Sequence, residues 1–317
     1  MRIVVTGASG FCGSHVARAA AATGAEVLCL GRRPGPLGRH LPWDAAVEAP
    51  DRGALADCDL VIHCAAAVGD HPPGSPAEAE QLAVNVTGTA RLLESATARP
   101  LVMVSSASVY DPRPSRALVT EDHPTASGHL NAYGRSKAAG ERLALAAGAV
   151  VLRPRAVYGE GDPHLVPRLL ARLGPGGLLP LPGPDVLLSL TSVQNLADAC
   201  LAAAGWPPGA YNVADAEPYL RDEALRRVCA ALGRRPRIVH LPRPLVRLAA
   251  RTRRTELTGY AVDQLATSVV LDTTRARAQG WRPTHDLSHY LARIAIREAV
   301  ADDQAAVASA RAGRVCS

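Results

Sequence analysis

The stretch TGASGFCG, residues 6–13, decides the fold of this 317-residue chain. It follows the strand-like run RIVVT, residues 2–6, and leads into an Ala-rich helical segment. In such a strand, turn and helix, Gly7 allows the tight turn, Gly10 lets a pyrophosphate approach the backbone, and Gly13 lets the helix pack on the strand. The unpaired amides at the start of the helix favour an anion, so the segment predicts a dinucleotide-binding turn.

The spacing GxxGxxG differs from the commoner GxGxxG, and incidental glycines in a plain strand, turn and helix are the alternative. A second motif, YGRSK at residues 133–137, favours the binding site. Residues four apart share a helix face, so Tyr133 and Lys137 can point at one ligand. A free phenol has a pKa near roughly 10, and one ammonium about 4 Å away can lower it by roughly three units. The pair therefore predicts a proton donor and the group that tunes it.

A serine cluster lies between these motifs, in LVMVSSASVY at residues 101–110. The apolar run predicts a buried parallel strand that ends at the ligand-facing edge of a sheet. The hydroxyl of Ser106 could bind a substrate carbonyl there. Ser105 and Ser108 are competitors, and either could instead satisfy backbone groups at the end of the strand.

The rest of the chain repeats the strand and helix pattern. Strand-like runs at residues 27–30, 60–63, 101–104 and 150–152 alternate with helical stretches. This alternation predicts an α/β fold with a Rossmann-type doubly wound parallel sheet. Ser75, Pro76 and Glu78 form a capping box that predicts a helix start, and this helix would carry Asn85 inward.

On these residues the chain resembles the extended short-chain dehydrogenase/reductase superfamily, within the NAD-dependent epimerase/dehydratase family and its 3β-hydroxysteroid dehydrogenase-like branch. The resemblance runs from residue 1 to about 293 and includes DLVIHCAA (59–66), NVTGT (85–89), SSASVY (105–110) and LRPRAVYGEGDPHLVPRL (152–169). One departure is Asp111, where the family usually continues VYG.

The resemblance implies roles for individual residues. Ser106 would bind the reacting oxygen, Tyr133 would transfer its proton, and Lys137 would hold the ribose and lower the pKa of the tyrosine. Asn85 would support this relay through water. The cofactor would be lined by Ala65, Ala66, Pro154 and Val157 and, in the glycine turn, by Gly7, Ser9, Gly10, Phe11, Cys12 and Gly13.

The end of the second strand predicts the cofactor. Enzymes built for NAD usually place an acidic side chain there, but this chain has Arg32 and Arg33 after Gly31. An arginine on a 2′-phosphate would favour NADP(H), with NAD(H) as the alternative, unless both arginines are merely solvated. Glu48 is the residue that we expect on the adenine side.

Domain organisation follows from the same pattern. We expect residues 1–158 to form mainly the dinucleotide-binding Rossmann domain. By the resemblance, residues 159–300 form mainly a small substrate-binding lobe, with elements that interleave. Residues 301–317 are expected to be a C-terminal tail.

Composition agrees with a cytoplasmic enzyme. The seven cysteines are odd in number and lack CxxC spacing, which indicates reduced thiols. No charged leader and no run of roughly 20 apolar residues is present, so we expect no membrane association. The net charge of +6 comes from scattered arginines, which argues against nucleic-acid binding. We expect no metal site, and the resemblance implies a homodimer.

The leading functional hypothesis is an NAD(P)-dependent oxidoreductase that interconverts a ketone and a secondary alcohol on a small molecule. Sugar-nucleotide enzymes of the superfamily commonly carry an arginine where this chain has Leu188. A sugar-nucleotide epimerase that retains its cofactor is the alternative, and a non-catalytic dinucleotide-binding regulator is a third reading. Tyr133 and Lys137 argue against the regulator, which has no physical need for them.

Overall fold

A computed structural model describes residues 1–97, 99–163, 165–251 and 258–296, so the tail expected at 301–317 lies outside the described residues. The strands are β1 (Arg2–Thr6), β2 (Glu26–Gly31), β3 (Arg39–Pro42), β4 (Leu60–His63), β5 (Leu101–Val104), β6 (Val150–Pro154), β7 (Val157–Tyr158), β8 (Leu178–Pro182), β9 (Leu187–Leu188), β10 (Thr191–Ser192), β11 (Gly209–Val213), β12 (Tyr219–Leu220) and β13 (Arg237–Leu241).

The helices alternate with these strands. They are α1 (Phe11–Ala22), α2 (Arg52–Ala56), α3 (Pro76–Leu82), α4 (Thr89–Ser95), α5 (Ala132–Ala146), α6 (Leu165–Ala171), α7 (Val193–Ala202), α8 (Arg221–Ala231), α9 (Arg243–Arg251), α10 (Gly259–Ala266) and α11 (Thr274–Ala278). A π-helical turn, Ala83–Gly88, joins α3 to α4. Within the described ranges, no helix is both long enough and apolar enough to cross a bilayer.

In the part of the chain that the structure describes, seven strands form one parallel sheet in the order β11-β6-β5-β4-β1-β2-β3. The predicted doubly wound α/β fold is therefore confirmed. The strand order reverses beside β1. The chain runs from β1 through β2 to β3 at one edge and then crosses back to β4 on the other side of β1. Such a reversal opens a crevice at the carboxyl ends of the strands, which is where ligands bind in this fold class.

The sheet is buried on both faces, which explains its continuous apolar strands. Ile3 and Val5 of β1 pack into the core on one face, with α1 and α7. Val4 points to the opposite core, where it meets Leu92 of α4. Alternate residues of a strand face opposite sides of the sheet, so a strand between two cores needs no polar position.

Helix α3 begins at Pro76, as predicted, but the expected capping box does not form. The hydroxyl of Ser75 makes no capping hydrogen bond. The Glu78 carboxylate instead accepts from the backbone amide of Gly74 at 2.6 Å and pairs with Arg135 of α5. Glu78 thus ties α3 to α5, and the π-helical turn that follows carries Asn85 to the interior.

The sheet draws on both expected domain ranges. Strand β11 pairs with β6, and α7 packs against α1, although both lie beyond residue 158. The remaining elements form a smaller lobe in which β8 pairs with β13 and β9 pairs with β12. Its apolar cluster includes Tyr158, Leu179, Val228 and Leu287. The assignment of this lobe to substrate binding stays a proposal.

Helix α5 packs so closely against the π-helical turn that the contact requires a glycine, Gly140. A Cβ at Gly140 would stand 2.0 Å from the Asn85 carbonyl oxygen. Helix propensity alone would make Gly140→Ala stabilising by about 1 kcal/mol, whereas overpacking costs about 1–3 kcal/mol. We expect the clash to dominate and Gly140→Ala to lower the free energy of unfolding, as measured by urea denaturation.

The matched control is Gly259→Ala, at the start of α10, where a Cβ meets no atom within 4 Å. This change should be neutral or stabilising by up to about 1 kcal/mol. A Gly140→Ala variant as stable as the control would refute the packing described for α5.

Candidate active site

The glycine turn is built by two close backbone approaches. Gly7 has φ +68°, and a Cβ there would lie 2.7 Å from the backbone of Ala65, beyond the end of β4. A Cβ at Gly13 would lie 2.3 Å from the Gly7 carbonyl oxygen, so only glycine lets α1 begin this near the strand. Gly10 caps α1 without a side-chain hydrogen bond. The amide end of the helix therefore faces the crevice with no side chain in the way.

A cavity of about 750 Å³ runs from this turn into the smaller lobe. It brings together most of the residues that the sequence predicted, while two of them, Asn85 and Glu48, do not reach its wall. The predicted residues that line it are Gly7, Ser9, Gly10, Phe11, Cys12, Gly13, Arg32, Arg33, Ala65, Ala66, Ser106, Tyr133, Lys137, Pro154 and Val157.

The three serines differ in what their hydroxyls contact, although all three line the cavity. Ser105 is buried, and its hydroxyl donates to the Glu141 carboxylate at 2.6 Å. Ser108 Oγ lies 2.8 Å from the hydroxyl of Tyr260. Ser106 Oγ lines the cavity, contacts Ser108 Oγ at 3.1 Å and accepts from the Ser108 amide. The hydroxyl of Ser106 thus bonds to Ser108, and its assignment to the substrate carbonyl stays a prediction.

Tyr133 and Lys137 lie on one face of α5 and both line the cavity. Lys137 Nζ donates to the Val104 carbonyl oxygen at 2.8 Å, which leaves two of its three N–H donors for a ligand. Burial lowers the pKa of Lys137 from 10.5 to about 8, against the Glu141 carboxylate, which raises it. Lys137 is the only lysine in the sequence. An arginine would stay charged at this buried position.

Within the protein itself, Lys137 does not lower the pKa of Tyr133 as expected. Burial raises the pKa of the Tyr133 phenol above its usual value, and the hydroxyl of Ser106 opposes this rise. The Lys137 ammonium is held at the carbonyl of Val104 and is not among the groups that shift the phenol. At neutral pH the phenol is therefore protonated and can donate.

The side chain of Asn85 is held by hydrogen bonds to the protein, and its support of a relay through water stays a prediction. Its side-chain oxygen accepts from the Ala67 amide at 2.9 Å, and its amide nitrogen donates to the Ala67 carbonyl and to Ser136 Oγ. These bonds occupy the side chain and fix the loop after β4 against α5. The structure therefore shows Asn85 holding cavity-lining backbone.

A buried ion pair supports the ends of β5 and β6. Arg153 of β6 contacts Glu141 of α5 in a pair that is almost fully buried. The other oxygen of this carboxylate accepts from Ser105, and Arg153 also donates to the hydroxyl of Tyr110 at 3.0 Å. Tyr133, Lys137 and Glu141 are spaced four residues apart, so this anchor fixes the helix face that carries the first two.

The turn itself is held by a neutral histidine. Thr89 Oγ1 donates to the Asn85 carbonyl, so it must accept from His63 Nε2, and His63 Nδ1 then accepts from Thr6. Burial lowers the pKa of His63 to about 3, which agrees with this neutral form. Thr6 Oγ1 in turn accepts from the Ala65 amide at 3.1 Å. The chain links β1, β4 and the π-helical turn beneath the glycines.

The loop after Ser106 is shaped by Asp111, the residue that departs from the family's pattern. Asp111 is buried and accepts from the backbone amide of Arg113 at 3.0 Å and from its guanidinium. Arg113 lowers the pKa of Asp111 to about 2, so the carboxylate is charged. The loop is therefore closed by an internal ion pair where the family has glycine.

The end of the cavity beside β2 carries Arg32 and Arg33, both exposed. The assignment of Glu48 to the adenine side is not supported, because β3 ends at Pro42 and Glu48 is exposed and off the cavity wall. Asp44, two residues after β3, lines the cavity instead. Counting from the end of β3 would have found it.

Three further cavity residues escaped the sequence analysis. Tyr260 comes from α10, whose sequence carries no motif, and reaches Ser108 across the cavity. Arg116 comes from the polar loop after Ser106. Arg155 directly follows β6, and its position beside a strand end was the available signal.

Comparisons with known proteins agree with this geometry. Residues 3–214 match the NAD dependent epimerase/dehydratase family. A 2-alkyl-3-oxoalkanoate reductase of Shewanella oneidensis is 29% identical over 86% of this chain and 80% of its own length. A dTDP-4-dehydro-6-deoxy-D-allose reductase of Streptomyces bikiniensis is 31% identical over 84% of this chain and 93% of its own. The structure of MoeE5 in complex with UDP-glucuronic acid and NAD is 26% identical, with a TM-score of 0.73 over 94% of this chain and 100% of that one.

The lowered pKa of Lys137 predicts a specific pH dependence of stability. Between about pH 8 and 10.5 the unfolded chain holds this proton and the folded protein does not, so stability rises with pH across that window. We expect the free energy of unfolding of the wild type, minus that of Lys137→Met, to increase by about 2 kcal/mol from pH 7.5 to 10. Urea denaturation at both pH values measures the difference.

A single lysine also permits a direct titration. Selective ¹⁵N labelling of lysine gives one side-chain signal, whose midpoint should lie near pH 8. A midpoint near pH 10.5, or a stability difference that does not change with pH, would contradict the burial of the ammonium.

Proposed function

The chain belongs to the NAD-dependent epimerase/dehydratase family, as its motifs predicted, and from that premise we propose that it reduces a ketone on an apolar small molecule or oxidises the corresponding alcohol. Its family and its reductase relatives make it an NAD-dependent oxidoreductase. The observation that carries the finer assignment is the single cavity shared by the glycine turn, Ser106 and Tyr133.

The residues present fit a dinucleotide. The turn is a cradle that a Cβ would fill, and the amide end of α1 faces it with no side-chain cap. Lys137 has two N–H donors left for ribose hydroxyls. When bound, the reduced cofactor supplies a hydride to the carbonyl carbon.

The side chains of the relay act on the carbonyl oxygen. Tyr133, protonated because burial raises its pKa, donates its proton to that oxygen as it gains charge. The hydroxyl of Ser106 donates a hydrogen bond to the same oxygen and stabilises the developing alkoxide. In this assignment Asn85 is a positioning residue, since its side chain holds Ala67 and Ser136.

The far wall of the cavity favours an apolar substrate. Many of its side chains are aliphatic, among them Leu179, Leu181, Leu188, Leu190 and Val228, although Arg168, Arg172 and Arg221 also line it. Leu188 stands where sugar-nucleotide enzymes commonly carry an arginine. The similar reductase of Shewanella oneidensis is named for an alkyl-substituted oxo acid, a class that suits such a wall.

An epimerase that retains its cofactor is the second candidate, favoured by the likeness to MoeE5 in complex with UDP-glucuronic acid and NAD. The absorbance of the reduced cofactor separates the two. Stoichiometric consumption across a panel of ketones supports net reduction, whereas product without consumption supports internal epimerisation.

The proton relay predicts the behaviour of Tyr133→Phe. Losing the proton donor should lower kcat by about 10²- to 10⁴-fold, while NADPH binding, followed by its fluorescence, stays nearly unchanged. The control is Tyr211→Phe, whose hydroxyl donates to the Pro207 carbonyl away from the cavity. Substantial turnover by Tyr133→Phe would contradict the mechanism.

The preference for NADP(H) is a separate part of the proposal. Arg32 and Arg33 line the cavity where an acidic side chain would repel a 2′-phosphate. Because charge-assisted hydrogen bonds contribute about 1.5–3 kcal/mol, Arg32→Ala should raise the KM for NADPH by about 10- to 100-fold and that for NADH far less. Arg52→Ala, an exposed arginine on α2, is the control. Equal effects on both cofactors would refute the preference.

A further inference from the structure

A buried arginine lines the cavity close to the relay. Arg155 directly follows β6 and is only 5% exposed. Strand β6 pairs with β5, in register Val104 to Leu152, so Arg155 and Ser106 lie just past the ends of neighbouring strands. Carboxyl ends of adjacent parallel strands share one edge of the sheet. The guanidinium therefore belongs to the edge that carries the relay.

The hydrogen bonds of Arg155 leave its charge uncompensated. Its guanidinium donates to the Ser189 carbonyl at 2.9 Å and, at 3.3 and 3.1 Å, to the backbone and side-chain oxygens of Gln264. These acceptors are all neutral, and among the described residues no carboxylate lies within ion-pair distance of Arg155. Its Nε is buried without a partner. Burying a cation without a counter-ion costs several kcal/mol.

Asp263, the carboxylate whose charge raises the pKa of Arg155, is already engaged. Both oxygens of Asp263 accept from Arg116 at 2.8 Å, and Arg243 approaches the same group at 3.5 Å. Two guanidinium groups, those of Arg116 and Arg243, thus share this one carboxylate, and Arg155 makes no ion pair with it. Burial and the charge of Arg116 lower the pKa of Arg155 to about 10, against Tyr260 and Asp263, which raise it. An anion entering the cavity would relieve this excess positive charge.

Contacts along α10 place the anion site beside the reacting groups. Gln264, which holds Arg155, lies one helical turn after Tyr260. The hydroxyl of Tyr260 meets Ser108 Oγ, and Ser108 Oγ meets Ser106 Oγ. Ala156, the residue after Arg155, has φ +44°, a strained conformation that such sites often carry. Beyond these groups the wall carries Leu179, Leu181, Leu190 and Val228, and Arg168, Arg172 and Arg221 also line it.

We propose that Arg155 binds the carboxylate of an oxo acid whose apolar tail lies in the smaller lobe, with the ketone next to the carboxylate end. The proposal rests on the proposed function and names the substrate class of the same site. Ser106 and Tyr133 would then contact the ketone oxygen, and the guanidinium would bind the carboxylate a short distance away on the same substrate molecule.

Binding measurements test this without turnover. Calorimetry of the NADPH-loaded protein should show decanoate binding at least about tenfold more tightly than the uncharged decanamide, the factor expected of one charge-assisted hydrogen bond. This preference should fall about 10- to 100-fold in Arg155→Met and less in Arg155→Lys. The control Arg168→Met removes an exposed arginine of the cavity rim and should keep the preference.

Turnover gives the second readout. Oxidation of 3-hydroxydecanoate and of its methyl ester yields an acid-to-ester ratio of kcat/KM, which should drop about 10- to 100-fold in Arg155→Met through the KM of the acid. An unchanged ratio, with acid and ester equally impaired, indicates a structural role for Arg155 and overturns the proposal. If Arg155→Met does not fold, the proposal is tested by the binding of decanoate and decanamide to the wild type and to Arg155→Lys.

The outcomes separate this inference from the proposed function. Equal binding of decanoate and decanamide to the wild type overturns the carboxylate site, whatever the turnover. Tighter binding of UDP than of decanoate also overturns it, in favour of a nucleoside diphosphate. If the protein prefers decanoate but oxidises neither 3-hydroxydecanoate nor its methyl ester, the carboxylate site is supported and the proposed function is contradicted.

Discussion

The Glu141 carboxylate, buried between Ser105 and Arg153, is the interaction on which the site depends. It joins α5 to the ends of β5 and β6. Without it, Arg153 would be a buried, unpaired cation, a loss that typically costs about 3–5 kcal/mol. Because Tyr133 and Lys137 lie two turns and one turn before Glu141 on α5, the ion pair that stabilises the sheet also fixes the helix face that carries them. Stability and chemistry therefore share one contact.

Electrostatics divide the cavity into parts with different tasks. At the relay, burial keeps the phenol of Tyr133 protonated and brings the pKa of Lys137 near neutrality, an adjustment that only a lysine permits in a chain whose other basic side chains are arginines and histidines. Near Arg155 the charge is positive and unbalanced. In the smaller lobe the wall carries aliphatic side chains together with Arg168, Arg172 and Arg221. The proposed amphipathic substrate follows from this order of a proton donor, an anion site and an apolar pocket.

Much of the fold was predictable because its signals are local. The apolar runs gave β1, β4 and β5 their bounds, and the glycine spacing located the turn. The resemblance also named the cavity residues in the turn and Ser106, Tyr133 and Lys137. The features that the sequence did not predict involve long-range contacts. Asn85 is engaged by the backbone of Ala67, Glu48 lies six residues past the end of its strand, and Tyr260 arrives from a helix more than 100 residues after the relay. The residue spacing within a motif does not predict contacts between segments that are far apart in the sequence.

The central claim is that one cavity brings a carbonyl to the phenol of Tyr133 and the hydroxyl of Ser106, beside the dinucleotide turn. A crystal structure of the protein with oxidised cofactor and a 3-oxo acid tests it most directly. We expect the ketone oxygen to lie within about 2.6–3.2 Å of both Tyr133 Oη and Ser106 Oγ. A ketone bound elsewhere, or a Tyr133 hydroxyl turned away from it, would contradict the account.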